Sequence, residues 1–225
     1  MNVVIFGATG MVGSGVLLEC LEDARIASVL VAGRRPVGIT APKLREILVE
    51  NFADLGPIQS EFATCGACFF CLGVSSAGMS EERYRQVTYD LTLGVAGTMV
   101  AANPAMTFCY VSGAGTDSTE RGSRMWARVK GQTENALLRL PFKAAYMFRP
   151  GFILPLKGVR SKTAIYQAMY SVLAPLYPLL RRLAPRFTTT TVNVGRAMIV
   201  VALSGYDRPI IESPEIEQLA KERAR

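Results

Sequence analysis

The chain has no histidine in its 225 residues, which removes histidine-based catalytic triads and most zinc sites at once. Charged residues are also sparse, 19% against 50% hydrophobic, so a disordered polyelectrolyte is excluded and a globular chain is expected. Nothing before Val3 has the charged start and apolar core of a signal peptide; a cytoplasmic protein is expected on that ground. Internal repeats and low-complexity linkers are missing, and the length suits one domain with a small appendage. A nucleic-acid partner is not expected either. The net charge of +7, from 25 Lys+Arg and 18 Asp+Glu, favours anionic partners in general. Yet the basic residues are scattered apart from Arg181-Arg182 with Arg186 and the tail Lys221 to Arg225, runs that read as solvated surface.

Cys65, Cys68 and Cys71 form a Cys-x-x-Cys-x-x-Cys series of the kind that ligates iron–sulfur clusters. The segment Ala67-Cys-Phe-Phe-Cys-Leu-Gly73 reads instead as a buried strand, in which residues three apart face opposite ways and cannot converge on a metal. Cysteine packs there as a small hydrophobe, and no metal is expected.

What the sequence does contain is concentrated in its first thirteen residues. Val3 to Phe6 are apolar on both faces, as in a parallel strand covered on each side, and the run breaks into Gly7, Gly10 and Gly13. Gly7 permits a tight turn, Gly10 lets the backbone approach a pyrophosphate, and Gly13 lets the next helix pack closely on the strand. A helical pattern follows at Val12, Val16 and Cys20. This strand–glycine–helix context points to dinucleotide binding, with the free N–H groups of the helix start facing the phosphates.

Ser28 to Ala32 is a second apolar run, ending in Gly33-Arg34-Arg35-Pro36. An NAD-selective site carries an acid near this point to bind the ribose hydroxyls, and none is present. Arg34 and Arg35 offer a charged fork for a 2′-phosphate, so NADP is the expected cofactor; the alternative is that they only solvate a loop. Strands are expected at Leu44 to Val49, around the cysteine segment, at Met106 to Val111 and at Ala144 to Phe148, with a long helix from Ser80 to about Ala102 and another from about Ser123 to Leu140. Six strands alternating with helices predict an α/β fold built on a doubly wound parallel sheet. Residues 1–155 form its nucleotide-binding part, and 156–225 a small helical substrate or lid extension of the same domain. Within the extension Thr163 to Leu180 carries no charge, but Gln167, Ser171, Pro175 and Pro178 argue against a membrane span. It reads as a lid or substrate-side helix rich in Tyr166, Tyr170 and Tyr177, or as a surface for a membrane or partner flanked by Arg181 and Arg182. Thr188 to Thr191 lead into a helix over Val192 to Leu203, followed by a short strand at Pro209 to Ile211 and a last charged helix.

The Gly-x-x-Gly-x-x-Gly spacing with Ala8-Thr9 inside resembles the extended and atypical branches of the short-chain dehydrogenase/reductase family, whose fold is of the Rossmann type. In that family a Ser after the fifth strand and a Tyr-x-x-x-Lys pair on the next helix do the chemistry. Ser112 matches the Ser, and Trp126-Ala-Arg-Val-Lys130 stands where the pair should be, with tryptophan in place of tyrosine. Indole N–H donates a hydrogen bond but cannot relay a proton near neutral pH. Lys130-Gly-Gln-Thr-Glu134, Phe148-Arg-Pro-Gly151 and Cys71-Leu-Gly73 further resemble bacterial relatives of the Tat-interacting-protein oxidoreductases.

The resemblance implies catalytic positions at Ser112, Trp126 and Lys130. It implies cofactor contacts from Gly7, Thr9, Gly10, Met11, Val12, Gly13, Arg34, Arg35, Asp54, Leu72, Gly73, Lys130 and Pro150. Asp54 would cap the adenine amino group, or be a turn residue only. Two functions stay open. One is an oxidoreductase moving hydride between NADPH and a small carbonyl or alcohol, Ser112 binding the oxygen and Tyr166, Tyr170 or Tyr110 supplying the proton. The other is a catalytically silent NADP(H)-sensing module read by a protein partner or a second copy of the chain.

Overall fold

The computed structural model describes residues 1–159 and 187–222. Seven parallel strands form one sheet in the order β3-β2-β1-β4-β5-β6-β9. They are β1 (Asn2–Phe6), β2 (Ser28–Gly33), β3 (Leu44–Leu48), β4 (Ala67–Phe70), β5 (Thr107–Val111), β6 (Ala144–Arg149) and β9 (Ile210–Glu212). The alternation of side chains along each strand divides the core in two. In β1, Val3 and Ile5 join one buried cluster while Val4 and Phe6 join the other.

The first face is covered by α1 (Met11–Glu22), α5 (Thr191–Ser204) and α6 (Ser213–Glu222), which contribute Val16, Leu17, Cys20, Val194, Met198 and Leu219. The second is covered by a 3-10 turn at Gly56–Phe62, by α3 (Leu91–Ala102) and by α4 (Met125–Leu138), with Phe62, Val95, Met99 and Leu137 packed inside. Cys68 lies in this second cluster, whereas Cys71, three residues on, packs against the first. All five cysteines are free thiols.

The strand order reverses at β1, whose neighbours are β2 on one side and β4 on the other. The chains leaving β1 and β4 therefore part above the sheet, and the crevice beyond their carboxyl ends is where such sheets take ligands.

Three elements differ from the sequence expectation. The connection from β2 to β3 contains no helix, so the alternation fails once. The helix expected from Ser80 to Ala102 consists of α2 (Glu81–Arg85), a π turn at Gln86–Asp90, and α3; the Ser80 hydroxyl caps its start by accepting the Arg83 N–H at 3.2 Å. Thr188–Thr190 lead into a helix as expected, but are themselves a strand, β8, paired in parallel with β7 (Phe152–Leu154) in a separate two-stranded sheet. Three successive β-branched residues favour the extended backbone, and the last of them then caps α5, its hydroxyl accepting the Asn193 N–H at 3.0 Å.

One ion cluster ties the extension to the start of the fold. Glu19 of α1 is fully buried and accepts from Lys157 Nζ at 2.5 Å and from Arg196 Nε of α5 at 2.9 Å. Among the described residues no helix is long and apolar enough to cross a membrane. The tyrosine-rich stretch 163–180, with Tyr166, Tyr170 and Tyr177, and the basic residues Arg181, Arg182 and Arg186 lie outside the described residues.

Candidate active site

The glycine turn is built so tightly that side chains have no room. Gly7 has φ +81°, and a Cβ there would stand 2.7 Å from the Cys71 carbonyl carbon; a Cβ on Gly13 would stand 2.1 Å from the Gly7 oxygen. The two glycines thus let β1, the β4 loop and α1 meet backbone to backbone. Gly10 N–H donates to Gly7 O at 2.9 Å and Ser14 Oγ donates to Ala8 O at 2.7 Å, fixing the turn. Gly10 begins α1 with no side-chain cap, and the first turn carries no acid. Its free N–H groups and positive dipole end are therefore available to an anion.

Two adjoining cavities lie over this turn. One, of about 600 Å³, is lined by Gly7, Thr9, Gly10, Met11, Gly33, Arg34, Arg35, Phe52, Leu72 and Gly73. The other, of about 590 Å³, is lined by Gly10, Met11, Val12, Leu72, Gly73, Tyr84, Ser112, Trp126, Lys130 and Pro150. Gly10, Met11, Cys71, Leu72 and Gly73 wall both, so the two form one groove across the switch point. Arg34 and Arg35 stand exposed at one end and form no ion pair among the described residues. Asp54 does not line the groove. It is exposed, and Oδ1 accepts the Gly56 N–H at 3.3 Å, a turn role; Phe52, two residues earlier, presents the wall instead.

At the other end, Ser112 follows β5. Its N–H donates to Phe148 O at 2.8 Å and its hydroxyl donates to Glu134 Oε1 at 2.5 Å. Glu134 is completely buried on α4 and forms a bidentate pair with Arg149 of β6, whose Nε lies 3.0 Å from Oε1. Arg149 also donates to the Ser118 hydroxyl at 2.5 Å. Lys130, one helical turn before Glu134, donates from Nζ to the Ser112 carbonyl oxygen. Removal from water in the cavity wall pulls its ammonium down to about 8, against the opposing attraction of Glu134. Trp126 lies a further turn back, its ring 3.5 Å from where a Cβ on Gly115 would be, a residue at φ +83°.

The structure therefore brings Ser112, Trp126 and Lys130 together, and it corrects two expectations about the proton. Tyr110 does not line the groove: it is buried in the second cluster beneath α4, 6.0 Å from the Phe70 ring, and desolvation pushes its hydroxyl well above the usual range. The Ser112 hydroxyl proton is already committed to Glu134, so this oxygen faces the cavity as an acceptor rather than as a donor to a carbonyl.

Sequence reasoning missed Tyr84, Glu134 and Arg149 as parts of the site. Glu134 and Arg149 stood in the quoted segments, and the four-residue step from Lys130 to Glu134 was a readable helix-face signal. Tyr84, on α2, had no signal in the sequence.

No protein-family model matches the chain. Protein FMP52, mitochondrial, of Eremothecium gossypii is 28% identical over 231 residues, covering 99% of this chain and 98% of its own. The fmp52 protein of Aspergillus fumigatus is 31% identical over 163 residues, covering 68% and 66%. Among solved structures, the Bordetella bronchiseptica enzyme WbmF in complex with NAD+ superposes with a TM-score of 0.69 at 14% identity, over 98% of this chain and 76% of its own. The UDP-glucose 4-epimerase of Thermotoga maritima superposes at 0.65 and 14%, over 99% and 82%.

The fold is Rossmann-like. The relatives bear the name FMP52 rather than that of the Tat-interacting proteins to which the narrower sequence resemblance pointed. Their names also overturn the expected cytoplasmic location: FMP52 of E. gossypii, of Scheffersomyces stipitis and of Aspergillus terreus are each named as mitochondrial. The beginning of the chain, on which that expectation rested, does not decide its compartment.

Proposed function

We propose that the protein binds NADP(H) along this groove and transfers hydride between it and a small carbonyl or alcohol. The observation that carries the reading is the continuity of the groove, with two arginines that form no ion pair among the described residues at one end, an uncapped helix start in the middle and the Ser112–Lys130 pair at the other. The donor set suits such a dinucleotide. Gly7, Thr9, Gly10, Met11, Val12 and Gly13 give the pyrophosphate a backbone cradle, and Arg34 and Arg35 give a 2′-phosphate a charged fork. Leu72, Gly73 and Pro150 border the path beyond, and Lys130 holds a ribose hydroxyl.

Bound in this way, the nicotinamide would supply or accept hydride. The protein's part is to orient the partner carbon, exclude water with Trp126 and Tyr84, and manage the proton. Residues 1–155 hold the cofactor, and residues 156–225 complete the substrate side. The names of the FMP52 relatives suggest a mitochondrial setting. A second reading, a silent NADP(H) sensor, is favoured by the tryptophan at position 126.

Trp126 is the only tryptophan and walls the cavity, so its fluorescence reports binding. The expected result is quenching by NADPH with weak response to NADH. Replacing Arg34 and Arg35 by alanine together should weaken NADPH about 30-fold or more, from roughly 1 kcal/mol per exposed charge-assisted contact. NADH binding should change less than threefold. Equal losses for both cofactors would refute the phosphate assignment.

A further inference from the structure

Reduction of a carbonyl leaves an oxygen that must receive a proton. Few groups in this cavity can give one. The Ser112 proton lies on a 2.5 Å bond to Glu134, itself held by Arg149, and the Trp126 indole does not ionise near neutral pH. Tyr110 is buried in the second core cluster and does not line the cavity. Lys130 differs from all of these. Its Nζ uses one N–H on the Ser112 carbonyl and keeps two others, and its side chain lines the cavity beside the Ser112 hydroxyl.

We propose that Lys130 is the acid–base residue of this site, giving an ammonium proton to the carbonyl oxygen during reduction and taking it back during alcohol oxidation. This rests on the hydride-transfer reading above. The titratable groups around it are Glu134 one turn along α4, Tyr84 from α2 and Cys71 after β4. Burial raises both Tyr84 and Cys71, the latter to about 12, away from neutrality, while it brings Lys130 down to about 8. Lys130 alone of the three is thereby poised for transfer near pH 7 to 8.

The step balances. Hydride from the reduced nicotinamide dinucleotide, which is oxidised, forms the new C–H bond as the C=O π pair moves to oxygen. An O–H bond then forms as one Lys130 N–H bond breaks, its electron pair staying on nitrogen. The neutral amine regains a proton from solvent past the exposed Val74 and Ser75.

The test combines a direct titration with kinetics. With lysines 13C-labelled at Cε and the Lys130 signal assigned by its loss in Lys130→Arg, NMR should show a midpoint near pH 8 in the cofactor-free protein; a midpoint above about 10 would overturn the proposal. Reduction of phenanthrenequinone by NADPH should fall at least 100-fold in Lys130→Arg while Trp126 quenching shows NADPH affinity kept within about fivefold. Methylamine should restore turnover to Lys130→Gly. Unchanged turnover in Lys130→Arg, or loss in Tyr84→Phe with Lys130→Arg active, would assign the proton elsewhere. No turnover by the wild-type protein would overturn both the acid and hydride transfer, and the quenching titration would still decide whether the cofactor binds.

Discussion

Replacing Glu134 by alanine should be among the most damaging single changes in the protein. Glu134 is fully buried and Arg149 is 8% exposed, and the pair is joined through both carboxylate oxygens. Removing one partner of such a pair leaves a desolvated charge and costs about 3–5 kcal/mol. Relief for Arg149 is poor, because the other carboxylate near it, Glu212, lies 3.6 Å away and is half exposed. In a chain of this length each kcal/mol lowers Tm by roughly 2–4 °C, so a fall of about 6–20 °C is expected. Urea unfolding followed by Trp126 fluorescence and circular dichroism measures it. The double change Glu134→Leu with Arg149→Met removes both charges at similar volume, and should recover at least about 2 kcal/mol of the loss. If Glu134→Ala costs under about 1 kcal/mol, or the double variant is as unstable as the single, burial and pairing do not govern this site.

Two further outcomes follow from other parts of the fold. Burial alone would raise the Glu19 carboxyl, but its bonds to Lys157 and Arg196 win and hold it below its ordinary value near 4.5. A group depressed in this way stabilises the fold above the unfolded value and loses that contribution as pH falls through the folded one. Stability should therefore fall below about pH 4.5, and Glu19→Gln should flatten that part of the curve in acid-unfolding experiments. Gly13→Ala should destabilise by about 1–3 kcal/mol and abolish NADPH quenching of Trp126, since its methyl group would meet the Gly7 carbonyl at 2.1 Å; a variant that binds normally would disprove the close packing of α1 on the turn.

Local rules recovered much of this molecule. The β1 run, the three glycines and the start of α1 could be read because apolar strand, turn and helix signals follow one another within thirteen residues. Ser112 and Lys130 were implied by the resemblance to the short-chain dehydrogenase pattern, and the structure brings them together, Lys130 Nζ donating to the Ser112 carbonyl. Other features depend on contacts distant in sequence. Tyr84 enters the cavity from a helix 28 residues before Ser112, and no pattern on α2 marks it. The hydrogen-bonding direction of Ser112 depends on Glu134, which in turn depends on Arg149 from a different strand. Thr188–Thr190 pairs with a strand some 35 residues earlier, a long-range choice that local propensity only permits. Asp54 shows the converse: a turn residue satisfied by its own loop needs no ligand.

The pairing of β7 with β8 has a consequence for how this family of shapes can diversify. Leu154 and Thr188 are opposite ends of neighbouring three-residue strands, which by ordinary strand spacing leaves them about 8 Å apart. The chain departs and re-enters almost at one point, and the strands and helices that follow, β9, α5 and α6, are anchored to the main core independently. Exchanging residues 158–186 for a segment of another length, which leaves Lys157 on Glu19, would add little closure entropy, since that cost grows only with the logarithm of length. The chain between β7 and β8 can therefore change in length while the sheet, the glycine turn and the Ser112–Glu134–Arg149 cluster keep their geometry.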